Sequence, residues 1–344
     1  MASANIAYWI TRGTENLAHQ YEMLKFPEFQ FDWLIQHRRG YGEMARGELV
    51  KRFNINWVDH YEPGKYDLVI LHLDQQCFEK NIMERGKGSL FRELNEVITD
   101  CPKVLIMHGT PYYPELYPAK NEFGEDCDGI SQKLIDEFRA AAANCYVVCN
   151  SKKAAEQWGI GTPIIHGLDP NEWLDLPKEL RIITMIGPAG LDKYYDRQFL
   201  QAVKEALAEE GIPHCHITVD WQAKNFDDYR NFIGRSLLYF NPTRESPMPR
   251  ARTEAMMSGC CVLTTPHQDA SDFIIDGKNG FLVPRNPMQI VDLVKQLFAN
   301  YSKAVAIGRA GKETALKLFN WDRYHSDWLN FTDWIISDFN SKRK

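Results

Sequence analysis

The chain has 344 residues, of which 44% are apolar and 25% charged, with a formal net charge of −6. It is too long for one ordinary hydrophobic core and too apolar for disorder, so two domains are expected. The acidic balance makes nucleic acid an unlikely partner, and the lack of an apolar run of about 18 residues gives no expectation of a spanning helix.

Short apolar runs alternate with amphipathic segments, the signature of β-α-β units and parallel sheets. The first residues, M-A-S-A-N-I-A-Y-W-I-T-R-G, read as a first strand at 6–10 and not as a signal peptide, so a cytoplasmic location is expected. Further strands are expected at 31–35, 68–73, 104–107, 145–149 and 163–166, with helices at 16–24, 44–53, 90–98 and 131–143. The turn-rich stretch 167–178 reads as a connection. A second series follows, with strands at 182–186, 216–219, 237–240, 262–265 and 280–283. Its helices fall at 196–210, 226–233, 250–258, 288–299 and 301–318. In the last segment Trp321, Tyr324, Trp328, Phe331, Ile335 and Phe339 recur at helical spacing, forming one apolar face. The expected domains are 1–170 and 178–318, with a terminal helix at 319–344 lying across them. The fold class is therefore α/β, with two doubly wound, Rossmann-like domains facing a deep cleft. The eight cysteines contain no C-x-x-C pair and read as reduced core residues.

Ligands of doubly wound sheets sit outside the carboxyl ends of the strands, so the loops there hold the candidates. After the first strand, T-R-G-T-E-N-L offers Gly13, either as a plain turn or as a substrate loop; it is not G-x-G-x-x-G. After the fourth strand, M-H-G-T-P places His108 beside a glycine, as a structural histidine or as a donor to a sugar hydroxyl or phosphate. The following Y-Y-P-E-L-Y suits stacking on a sugar or ordinary packing. In I-G-P-A-G-L-D-K, Gly187 and Gly190 permit close approach of an anion, and Lys193 can neutralise a leaving diphosphate. Arg197 lies one turn on.

The most informative stretch is 243–265, T-R-E-S-P-M-P-R-A-R-T-E-A-M-M-S-G-C-C-V-L-T-T. Glu245 and Glu254 bracket a proline-fixed loop and a helix start, where unpaired N–H groups suit a phosphate. Glu254 can accept from a ribose diol. Arg250 and Arg252 add positive charge there, as donor contacts or as solvated side chains. Asp126-Cys127-Asp128 matches D-x-D only formally and is read as chance, so no metal site is assigned.

In order, I-G-P-A-G-L-D-K, Y-F-N-P-T-R-E-S-P…T-E-A-M-M-S-G-C-C-V-L-T-T and I-I-D-G-K-N-G-F-L-V-P resemble the C-terminal half of GT-B glycosyltransferases. The similar group is the large retaining one (family 4-like, group 1). C-N-S-K at 149–152 and I-I-H-G-L-D at 164–169 add weaker likeness. The resemblance implies that Glu254 binds the nucleotide ribose, that Glu245 and His108 lie near the transferred sugar, and that Lys193 binds phosphate. Gly13 matches the family's N-terminal glycine loop. Three features depart from the pattern: Pro188 replaces the clamping arginine, Glu245 and Glu254 are one residue further apart than usual, and S-P-M-P replaces G-F-G. Arg197, Arg250 and Arg252 are the candidates to compensate.

What the resemblance implies is a hexosyltransferase using a UDP- or GDP-sugar, retaining, with no cofactor and no required metal. The acceptor is expected to be a glycan or a lipid-linked molecule. The basic run 37–47 reads as a solvated loop or as a contact to a phosphorylated acceptor or membrane surface. The rival expectation, motivated by Pro188, is a catalytically weak module that binds a sugar nucleotide or a partner.

Overall fold

The computed structural model describes residues 4–8, 21–34, 52–53, 55–78, 87–127, 129–186, 194–217, 223 and 225–343. The chain divides into two compact units. The first holds the described residues up to Ile165 together with the chain from Tyr324 onward; the second holds His166–Arg323.

The sheet of the first unit is built from β1 (Ala4–Tyr8), β2 (Phe29–Leu34), β3 (Asn56–Val58), β4 (Leu68–Leu73), β5 (Lys103–Met107), β8 (Tyr146–Cys149) and β9 (Thr162–Pro163). All neighbours are parallel, in the order β3-β2-β1-β4-β5-β8-β9. The register sets Ile6 beside Leu68, Val69 beside Lys103 and Leu105 beside Val147. L-V-I-L-H-L and K-V-L-I-M are buried at every position, as strands covered on both faces must be. A separate hairpin pairs β6 (Ala119–Lys120) with β7 (Asp126–Cys127).

The helices are α1 (Lys87–Val97), α2 (Gln132–Ala141) and α3 (Lys152–Trp158). Ser131 and Ser151 cap α2 and α3 by accepting from Leu134 N and Ala154 N at 3.3 and 3.0 Å. Phe138, Leu134, Trp158 and Phe91 fill the core between these helices and the sheet.

The second unit has a five-stranded parallel sheet. Its strands are β10 (Glu179–Thr184), β11 (His214–His216), β12 (Ser236–Asn241), β13 (Cys261–Thr264) and β14 (Phe281–Leu282), in the order β11-β10-β12-β13-β14. Its helices are α4 (Arg197–Glu209), α5 (Phe226–Arg235), α6 (Arg250–Met257), α7 (Ala270–Phe273), α8 (Pro287–Ala299) and α9 (Tyr301–Leu318). Gly308 on α9 lets that helix lie against the backbone at 259–261; a Cβ there would sit 2.3 Å from Gly259 O.

The last helix, α10 (Trp321–Lys342), buries Tyr324, Trp328, Phe331 and Ile335, four of the six residues of the expected apolar face. From Tyr324 on it belongs to the first unit. Tyr324 packs on Phe26, His325 Nε2 lies 2.8 Å from Glu28, and Tyr146 donates to Asp338 at 2.5 Å. All eight cysteines are free thiols. Among the described residues no helix is long and apolar enough to cross a membrane.

Candidate functional site

Strand order reverses between β1 and β4 in the first unit and between β10 and β12 in the second. A doubly wound sheet opens a crevice at such a reversal, outside the carboxyl ends of the strands. Buried polar side chains collect at the carboxyl ends of both sheets.

In the second unit the chain leaves β12 through Pro242–Pro249 and enters α6. This loop is fastened to the one that follows β10: Arg244 N and Glu245 N both donate to Tyr194 O, at 3.0 and 2.9 Å, and Tyr195 bridges Thr243. Glu245 is half-buried. Pro249 occupies the N-cap of α6 and supplies no side-chain cap.

Glu254, one turn into α6, is 2% exposed. Its Oε2 accepts from the Tyr229 hydroxyl at 2.8 Å and its Oε1 from Arg250 Nε at 3.1 Å. These two bonds fix the orientation of the carboxylate. Arg250 is thus an internal ion-pair partner and not a solvated side chain.

Arg252 is also not solvated, being fully buried. It lies over the Phe273 ring at 4.8 Å and reaches Met248 Sδ at 3.6 Å, while its Nε and one terminal nitrogen have no hydrogen-bond partner among the described residues. Burial lowers its guanidinium to about 10, against the opposing pull of Tyr239, Tyr195 and Asp269.

Arg197 is exposed at the first turn of α4, behind the N-cap Asp196, which accepts from Phe199 N at 2.8 Å. Asp196 also pairs with Arg285, a residue that the sequence reading passed over. Arg285 places a cation beside the 242–249 loop, 3.5 Å from Thr243 O.

In the first unit the cluster lies at the ends of β4, β5 and β8. The rings of His72 and His108 lie edge to edge, 9° from parallel with their centroids 4.9 Å apart, and His72 Nδ1 lies 2.6 Å from His108 Nε2. His108 Nδ1 lies 3.2 Å from Asn150 Nδ2. Both nitrogens of His108 are therefore engaged within the protein. Asp74, buried, accepts from Gln76 N and Cys77 N at 3.0 and 3.2 Å.

Gly109 has a packing reason: a Cβ there would fall 1.6 Å from Gln75 Oε1. Its carbonyl accepts from Trp158 Nε1 at 2.9 Å, and His108 N donates to Leu73 O at 2.9 Å, which pins the loop. Tyr117 takes the packing alternative, buried with its hydroxyl 2.6 Å from Phe78 O.

Gly13, Gly187, Gly190 and Lys193 lie outside the described residues, as do Pro188 and the basic run 37–47. His72, Asn150, Tyr229 and Arg285 were missed as site residues. His72 is hidden inside L-V-I-L-H-L, and Tyr229 is 25 residues before the carboxylate it meets. No group of three or more potential metal ligands is assembled among the described residues. Asp126 of the D-x-D match instead pairs with Lys120.

Residues 179–314 match the family described as glycosyl transferases group 1. Spore coat protein SA of Bacillus subtilis is 24% identical over 143 residues, 41% of this chain and 38% of that protein. An uncharacterized glycosyltransferase of Methanocaldococcus jannaschii is 22% identical over 129 residues, 37% of this chain and 36% of that protein. The matched part thus spans well under half the length of either curated relative. Among solved structures, Anabaena HepE in complex with UDP and glucose superposes with a TM-score of 0.67 at 13% identity, over 96% of this chain and 99% of that one. Sucrose-phosphate synthase from Thermosynechococcus elongatus gives a TM-score of 0.67 at 13% identity, over 97% of this chain and 100% of that one.

Proposed function

We propose that this chain, which has the GT-B fold and matches the group 1 glycosyl transferases over residues 179–314, moves a sugar from a nucleoside-diphosphate donor to an acceptor hydroxyl. The observation that carries the reading is Glu254, held by Tyr229 and Arg250 within the matched region. A carboxylate offers about four acceptor sites, which is the chemistry needed to receive the two hydroxyls of a ribose. The adjoining helix start, with no side-chain cap at Pro249, suits the negative charge that grows on a departing diphosphate.

The donor is proposed to be a UDP-sugar, because HepE was solved with UDP and with UDP-glucose. Transfer with retention, turnover without a divalent ion, a glycan or lipid-linked acceptor and a cytoplasmic location belong to the same reading. The rate would come from positioning and electrostatic stabilisation of the leaving group.

The test is calorimetry with UDP and GDP followed by turnover over a donor panel, run in chelator, with the anomeric configuration of the product read by NMR. Loss of both donor hydrolysis and transfer in Glu254→Ala and Lys193→Ala is expected; full activity in both variants would refute the reading. Pro188, in place of the arginine usual in such chains, favours the rival reading of a binding module. Tight UDP binding with no turnover of any donor would select it.

A further inference from the structure

The three-residue chain at the strand ends of the first unit has a direction. An amide nitrogen only donates, so with Asn150 Nδ2 at 3.2 Å, His108 Nδ1 accepts, and the His108 proton sits on Nε2. That proton is donated across 2.6 Å to His72 Nδ1, which must be bare, so the His72 proton sits on its own Nε2. Protonating His72 Nδ1 would set two N–H donors face to face against His108. Protonating His108 Nδ1 would do the same against Asn150. Neither ring is more than 6% exposed, so water is not at hand to relieve either clash. The bond made by one nitrogen of an imidazole thus selects the state of the other.

We infer that His72 is a positioning residue for His108: lying edge to edge with its ring and bonded through Nδ1, it fixes the His108 proton on Nε2, with Asn150 completing the lock from the other side. With the proton held on Nε2 by His72, a sugar hydroxyl reaches His108 by replacing Asn150 at Nδ1, the longer of the two bonds at 3.2 Å, and meets an acceptor already oriented for it. In this respect the inference rests on the proposed glycosyl transfer, which puts His108 at the transferred sugar. The tautomer itself does not depend on that reading.

The test uses the full chain labelled with ¹⁵N-histidine and long-range ¹H–¹⁵N spectra of the imidazoles, alongside donor turnover. Wild type is expected to show His108 with a protonated Nε2 and a bare Nδ1. His72→Phe keeps an aromatic ring at this position and removes the acceptor. His108 is then expected to mix tautomers, and kcat to fall roughly tenfold or more, the scale seen when an orienting partner of a functional histidine is lost. The donor KM should stay within about twofold, as for a loss confined to the transition state. His72→Asn returns an acceptor oxygen to the Nδ1 position and should restore the wild-type spectrum and most of kcat. A proton on His108 Nδ1 in wild type would overturn the inference. So would an unchanged His108 spectrum in His72→Phe, or equal loss of kcat in both variants with the tautomer intact. If wild type and variants turn over no donor at all, the functional reading fails while the spectra still decide the tautomer.

Discussion

The two units share one plan, a parallel doubly wound sheet with polar side chains gathered at the carboxyl ends, and they fill it with opposite chemistry. In the first unit the described cluster centres on imidazole and amide groups: His72, His108, Asn150 and Gln75. In the second it is ionic: Arg250 on Glu254, Arg285 on Asp196, and the buried guanidinium of Arg252. Buried charge is costly unless paired, whereas buried neutral groups need only be hydrogen-bonded. The unit with ion pairs at its strand ends is the one that matches the group 1 glycosyl transferases over residues 179–314. Breaking each cluster should therefore have different consequences.

The largest effect is expected at the ion pair. Arg250 and Glu254 have side chains 10% and 2% exposed, so Glu254→Gln removes a charge from a pair held at 3.1 Å and largely out of water. A loss of about 3–5 kcal/mol is expected in urea unfolding monitored on the second unit. Arg250→Met combined with Glu254→Gln should be clearly less damaging than the sum of the single changes. Additive losses would mean that the pair is not coupled and that the contrast between the units is not electrostatic.

The opposite ends of the two sheets carry a matching pair of lysines. Lys178, before β10, donates to Gly234 O and Ser258 O at 2.7 and 2.5 Å, closing the C-termini of α5 and α6 with Asp175 beside it. Lys103, at the start of β5, donates to Asn95 O at 2.6 Å, its one hydrogen bond among the described residues, and burial lowers its pKa. Lys178→Met should cost about 2–3 kcal/mol, because Ser258 O loses this donor in a buried place while Gly234 O keeps Leu176 N at 3.2 Å. Lys103→Met should cost under about 1.5 kcal/mol, since removing a charge that burial already disfavours offsets the lost bond. Equal losses in paired denaturation curves would contradict this asymmetry.

These pairs also mark how far the sequence can be read. β4 and β12 were legible because each is a run of residues buried on both faces. β3 and β9 were poorly legible: they are short edge strands with exposed residues, N-W-V and T-P, that carry no apolar run. β11 begins two residues before its expected start because H-C-H is half-buried and does not read as core. At the site, Glu254 stood out as a carboxylate inside E-A-M-M. The burial of Arg252 did not, because nothing local separates an arginine folded inward over Phe273 from one in solvent. His72 and His108 are 36 residues apart, and only the β4–β5 register, which sets His72 beside Ile106, brings them together.

A pH change should separate the units again. His214 on β11 is half-buried, its Nε2 3.1 Å from Thr184 Oγ1, and burial pushes its pKa down to about 3. In the unfolded chain a histidine titrates near pH 6.5, so below that value the unfolded state takes up a proton that the folded state refuses. Its contribution is complete above about pH 6.5 and is lost progressively as pH falls toward 3, reaching at most about 2 kcal/mol at pH 5. His214→Leu should flatten the pH dependence of the second unit's unfolding between pH 7 and 5. An unchanged slope would mean that this ring is not what makes the unit acid-sensitive.

The smallest effect tests the imidazole and amide cluster. In Gly109→Ala the new methyl would overlap Gln75 Oε1, and Gln75, 2% exposed, has little room to swing away. Overpacking of this kind starts at about 1 kcal/mol. The low end is expected because the atom met first is the tip of a side chain and not backbone. Gln75→Ala removes that tip, so Gly109→Ala should cost less in the Gln75→Ala background than alone, a coupling of opposite sign to additivity. If the two changes simply add, the glycine answers to the nearby backbone of Gln75, 3.3 Å from the same Cβ position, and Gln75 is not held in place by the loop that carries His108.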